Sequence, residues 1–169
     1  MSRSPTFVRA LGYLALALFL GMAVVLRFVI GPDVSFTPQA EIGRYSDADL
    51  VALGAELRET GQAGLYKFIL LGVDFVFITV FGLWVMLVHA IRGLGPVRWV
   101  GVALACAFMA LDYGEDLMLA IRMGLATKGN LDPAVLTNPV SLVHYVTLAK
   151  FAVFALCMLS VYFVSRRRA

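Results

Sequence analysis

The chain has 169 residues, of which 61% are hydrophobic and only 15% charged, and its mean hydropathy is +0.88. A soluble domain of this size cannot hide so much apolar surface, so a lipid bilayer must act as part of its solvent. The net charge of +3 includes no basic tract interleaved with aromatics, which excludes a nucleic-acid-binding surface.

Four apolar segments reach the ~20 helical residues needed to cross a bilayer core. They cover about 7–30, 65–91, 100–123 and 142–164. Backbone polar groups in lipid must be satisfied within their own segment, so helices are expected. Barrel strands would be shorter and would alternate in polarity. The expected fold is therefore all-α: a polytopic membrane protein forming a four-transmembrane-helix bundle, with one integral membrane domain over 1–169. Arg3 and Arg9 precede the first segment, but its apolar core is longer than a signal peptide's and no A-x-A site follows, so a retained anchor is expected.

The first long connection contains "YSDADLVALGAELRETG". Ser46 with Asp49 three residues on makes a capping box, and Leu50, Leu53 and Leu57 recur at helical spacing. Gly61 can end the segment. This predicts a short amphipathic helix over about 47–60 in the first outer loop, serving as a lid over the helix ends or as a gate or partner surface. "RGLGPVR" is a tight turn that makes the second and third spans antiparallel neighbours. In "ATKGNLDPAVLTNP", a K-G-N turn precedes Asp132, which would cap a short helix with Pro133 at its first position; Pro139 ends it and Ser141 caps the fourth span.

Orientation follows from the basic residues. Arg3, Arg9, Arg92, Arg98 and Arg166–Arg168 fall on one side with no acid. Arg44, Arg58 and Lys128 share the other side with Asp33, Glu41, Asp47, Asp49, Glu56, Glu59 and Asp132. The positive-inside rule then puts both termini in the cytoplasm, in a bacterial inner membrane.

Ionisable residues inside the spans point to a site. Asp112, Glu115 and Asp116, spaced i, i+3, i+4, share one face of the third span, which Phe108, Met109 and Leu119 extend. Asp74 lies at similar depth in the second span and Lys150 in the fourth. Arg27, Lys67 and Arg122 lie near the outer ends of the first three spans, and Tyr113, Tyr66 and Tyr145 could add hydroxyls. Four acids thus balance four bases. A lone charge at the bilayer centre costs at least about 2.5–3.5 kcal/mol, so the eight groups are expected to converge in the outer half of the bundle. Gly12, Gly21, Gly82, Gly101, Ala105 and Gly114 would allow close helix contact and a dry cytoplasmic seal.

Three chemistries compete for such a chamber: a structural network, a binding site and a catalytic site. Phe68, Phe75, Phe77, Phe81, Phe108 and Phe151 could line a cleft for a lipid, an isoprenoid or an amphipathic amine. Asp74, Asp112 and Glu115 are the candidate general acids or bases, and no nucleophile motif accompanies them. Asp74, Asp112 and Asp116 could ligate a hard cation, but the matched bases argue against it, so no metal and no cofactor is expected. His89 and His144 lie at opposite membrane faces, cannot clamp one haem iron, and read as solvated. Cys106 and Cys157 read as small buried hydrophobes.

"LDYGEDLMLA" is similar to an L-D-x-x-E-[N/D] signature in the third span of small four-span bacterial membrane proteins. The overall plan resembles the EXPERA group of sterol isomerases and sterol-binding proteins: a short N-terminus, a helical outer loop after the first span, and acids in the second and third. The resemblance implies a hydrophobic-ligand pocket with acid/base carboxylates, here Asp74 and Asp112 or Glu115. The leading expectation is a protein that binds a lipophilic small molecule or serves as an accessory subunit to a partner membrane protein or a homo-oligomer. The alternative is a lipid- or isoprenoid-modifying enzyme.

Overall fold

The computed structural model describes residues 5–38, 44–125 and 140–166, and every regular element among them is helical. The turn and short helix expected over 126–139, with Lys128, Asp132, Pro133 and Pro139, lie outside the described residues, as do Arg3, Glu41, Arg167 and Arg168.

Helix α1 (Pro5–Val25) begins on a proline, whose missing N–H would be unpaired at a first helical position anyway. It runs into a π turn (Leu26–Ile30), in which the Gly31 N–H donates to the Leu26 carbonyl, and then a 3₁₀ turn (Gly31–Asp33). Pro32 removes a donor and crowds the preceding turn, so the α ladder cannot continue there. Helix α2 (Asp47–Glu59) has a complete capping box: Ser46 Oγ accepts from the Asp49 N–H, and the Asp49 carboxylate accepts from the Ser46 N–H at 2.7 Å. Helix α3 (Ala63–Phe68), a second π turn (Ile69–Val73) and helix α4 (Asp74–Arg92) form one continuous rod from Ala63 to Arg92. Helices α5 (Pro96–Arg122) and α6 (Leu142–Arg166) complete the set.

Both α2 and α5 end in the same motif. Gly61 and Gly124 take φ of 73° and 67°, a region where a Cβ would be strained. The next N–H reaches back to the helix, from Gln62 to the Leu57 carbonyl and from Leu125 to the Ala120 carbonyl, both at 2.8 Å.

Three stretches are long and apolar enough to cross a membrane, by length and composition: Thr6–Asp33, Ala63–Arg92 and Leu142–Arg166. This marks an integral membrane protein. Their exposed faces carry large apolar side chains such as Leu16, Leu20, Phe28, Leu83, Leu159 and Phe163, which suit hydrocarbon contact. Helix α5 packs between α4 and α6, and α1 lies against α4.

Small residues set the close approaches. A Cβ on Gly101 would lie 2.0 Å from the His89 ring, one on Gly82 would lie 2.3 Å from Met109 Sδ, and one on Gly12 would lie 2.8 Å from the Trp84 indole nitrogen. Gly21 and Gly114 face open space, so the contact role expected for them is corrected. Helix α2 presses Gly54 onto the last turn of α5, where a Cβ would come within 2.1 Å of the Met123 carbonyl. Arg58 donates to that same carbonyl at 3.0 Å.

Two further expectations need correction. His89 and His144 are buried rather than solvated: His89 folds under Gly101 with its Nδ1 2.9 Å from the Val85 carbonyl, and His144 packs edge-on to Tyr45. Cys157 is buried, but Cys106 is exposed on the outer face of α5.

Candidate functional site

The i, i+3, i+4 spacing on α5 turns Asp112, Glu115 and Asp116 inward together, and all three are buried. Lys150 on α6 reaches across to them. Its Nζ donates to Asp112 Oδ1 at 2.6 Å and also contacts Glu115 Oε2. Thr147, one turn earlier on α6, is within hydrogen-bond reach of Glu115 and of the Val143 carbonyl, and lies 3.0 Å from the Tyr45 hydroxyl. A hydroxyl has a single proton. When Thr147 donates to Glu115, Tyr45 must therefore donate to Thr147, so a chain of hydrogen bonds links the loop before α2 to Lys150. Burial holds the Tyr45 hydroxyl above its ordinary pKa of 10.0, so it remains a donor through the neutral range.

The loop is fastened to the same place by a second set of bonds. Ser141 donates from Oγ to Asp47 Oδ1 at 2.6 Å, and its N–H donates to the Tyr45 carbonyl at 2.8 Å. The same hydroxyl oxygen accepts from the Val143 N–H at 3.2 Å, which caps α6. Arg122 Nε lies 3.5 Å from Asp47 Oδ1.

The expected balance of four acids and four bases is corrected by this geometry. Lys150 is the one expected base that meets the acids of α5. Arg122 pairs with Asp47 instead. Arg27 and Lys67 are exposed and make no ion pair among the described residues. Asp74, half-buried at the start of α4, joins the cluster from the opposite side: one oxygen from each of Asp74, Asp112 and Asp116 lies within 4.8 Å of the other two. Neither oxygen of Asp116 has a hydrogen-bond partner among the described residues. Tyr113 faces elsewhere, with its hydroxyl beside Thr79 and its ring edge-on to Phe75. Tyr145 is exposed, and Tyr66 is buried.

Beside the cluster lies a cavity of about 640 Å³, walled by α1, the two π turns, α4, α5 and α6. Asp74, Asp112 and Lys150 form its polar patch, with Arg27 and Tyr66 further along the wall. Residues 34–37 border it on the loop side. The rest of the wall is apolar, including Phe19, Met22, Phe77, Phe108 and Phe154. Several of these rings also pack on one another. Phe19 stacks on Phe154 with centroids 6.4 Å apart, and Phe81 fills the space between Phe108 (4.8 Å) and Phe154 (5.0 Å).

The aromatic lining differs from the expected one. Phe77, Phe108 and Phe151 line the cavity, whereas Phe68 points outward, Phe75 packs on Tyr113, and Phe81 is core. Reading the sequence missed Phe19, Phe154, Thr147 and Tyr45. Thr147 and Phe154 could have been found from their i−3 and i+4 spacing to Lys150. Tyr45 sits in a loop, where no periodicity points inward. The two π turns were also missed; each inserts a residue and re-aims the side chains after it, and each borders the cavity.

No protein family, curated protein or solved structure matches the chain, so the chemistry of the site is read from its own residues.

Proposed function

We propose that the chain is a four-span protein of a bacterial inner membrane, with both termini cytoplasmic, that binds an amphipathic lipophilic molecule between its helices. Helix α5, at 27 residues and about 40 Å, is long enough to be the remaining span. Its acids face the bundle and not the lipid. The tight Gly93–Gly95 turn returns it alongside α4, and α2 then lies in the first outer loop, over the end of α5.

The observation that carries the binding reading is the cavity: about 640 Å³, with mostly apolar walls and one patch of Asp74, Asp112 and Lys150. Small-molecule sites have this size and this pairing of a greasy wall with a few placed polar groups. The apolar body of a lipid would lie against Phe19, Phe77 and Phe108, and its polar end would meet the carboxylates and the ammonium group. The same layout is the one implied by the likeness to sterol isomerases and sterol-binding proteins.

The test is to extract the protein with its native lipid shell and compare its lipids with the bulk membrane. One enriched amphipathic species is expected in the wild type, and it should be lost when Met22→Trp fills the cavity. A lipid profile indistinguishable from bulk in both proteins would remove the binding reading.

A second reading, a lipid-modifying enzyme, is favoured by the placement of Asp74 and Asp112 on the cavity wall. For that reading, Asp74→Asn should retain the enriched molecule but change its chemical form. Retention with no chemical change would leave simple binding.

A further inference from the structure

We infer that Asp74, Asp112 and Asp116 form a binding site for a hard divalent cation in the core of the bundle. Three observations converge on it. The first is geometric. One carboxylate oxygen from each residue lies within 4.8 Å of the other two. Ligand oxygens lie about 2.3–2.6 Å from a Ca²⁺ ion and about 2.0–2.1 Å from a Mg²⁺ ion. Three oxygens spaced evenly around one ion stand at most about 4.0–4.5 Å apart for Ca²⁺ and about 3.5–3.6 Å for Mg²⁺, so a separation within 4.8 Å brings all three into range of one ion with modest closure.

The second observation is the state of Asp116. It is fully buried, its relative exposure is 0%, and neither oxygen has a hydrogen-bond partner among the described residues. Buried carboxylate oxygens are nearly always satisfied by a donor or a metal. Asp116 is aimed at Asp74 and Asp112, two further acids that offer no N–H, and a cation held between the three would satisfy it.

The third observation is charge. If all are ionised, Asp74, Asp112, Glu115 and Asp116 carry four negative charges against one positive on Lys150, an excess of three. Arg27 borders the same cavity but makes no ion pair with these acids among the described residues. A divalent cation removes two of the three. Lys150 touches Asp112 through Oδ1 and Glu115 through Oε2 and makes no ion pair with Asp74 or Asp116 among the described residues. Asp74 and Asp112 line the cavity, which supplies a route in and room for water as the remaining ligands. Oxygen-only donors select a hard ion such as Ca²⁺, Mg²⁺ or Mn²⁺ over softer metals. The site stands on the acids alone and does not depend on what fills the cavity.

The experiment is a Mn²⁺ titration of the full chain in nanodiscs, read by electron paramagnetic resonance, with thermal unfolding recorded on the same samples. Wild type should bind one Mn²⁺ per chain saturably, release it to Ca²⁺ or Mg²⁺, and unfold at a higher temperature when loaded. Asp116→Asn and Asp74→Asn should each weaken binding at least tenfold, while Asp33→Asn, an exposed acid outside the cluster, should not. Using two ligand variants covers the case in which one of them fails to fold. The proposal is overturned if wild type shows no saturable binding of Mn²⁺ at millimolar concentration. It is equally overturned if both ligand variants bind as wild type does, or if infrared spectra show carboxylic-acid bands that persist unchanged when Mn²⁺ is added, which would assign the missing positive charge to protons.

Discussion

At one end of the bundle, Asp112, Glu115 and Lys150 are buried together beside a cavity of about 640 Å³. Toward the other end, the His89 ring lies so close to α5 that a Cβ on Gly101 would come within 2.0 Å of it. The first region is built of polar groups beside a cavity; the second is built of glycine contacts and stacked phenylalanines. Both regions come from the same helices. The change occurs along α4 and α5, from Asp74 and Asp112 to the rings of Phe81 and Phe108 a turn or two away. Protein interiors normally reach the density of organic crystals, which makes the cavity the exceptional part of this bundle.

The comparison can be broken at its polar end most severely. Lys150→Met leaves the carboxylates with no buried base, and removing one partner of a buried ion pair costs about 3–5 kcal/mol. Thermal unfolding in nanodiscs should show a large drop or a failure to assemble. A variant as stable as wild type would mean that the acids are neutralised without Lys150, and the polar region would need a different explanation. At the packed end, Gly101→Ala inserts a methyl into the His89 ring, and overpacking of this kind costs about 1–3 kcal/mol. The lipid enrichment proposed for the cavity should survive this change if the two ends are independent, and should be lost if close packing is what holds the cavity open. The smallest effect is expected where the loop meets the cluster. Tyr45→Phe removes one hydrogen bond to Thr147 and leaves Thr147 its one proton to donate to Glu115 or to the Val143 carbonyl, a loss of about 0.5–1.5 kcal/mol. Faster amide exchange confined to the first turns of α2 and α6 would show that the bond fastens the loop; exchange unchanged from wild type would show that Ser141 and Asp47 fasten it without Tyr45.

Much of the architecture was legible before any coordinates. Long apolar runs must be helical because lipid offers no partner for a bare amide, and the i, i+3, i+4 acids must share a face because a helix turns every 3.6 residues. Ser46, Asp49, Gly61 and the 92–98 turn act through bonds to near neighbours, so their roles could be read locally.

Partner choice was not legible in the same way. The count of four acids and four bases gave no means of telling that Arg122 would turn to Asp47, that Arg27 and Lys67 would face outward, or that Lys150 alone would remain for the acids. Depth along a helix can be estimated from residue number, but azimuth and reach depend on how neighbouring helices pack. Two π turns shifted those azimuths without leaving a periodic trace in the sequence. The sequence by itself therefore determined which groups are buried in apolar helices. Only the tertiary structure decided which of them meet, because contacts between spans are set by packing across dozens of residues and not by spacing within one helix.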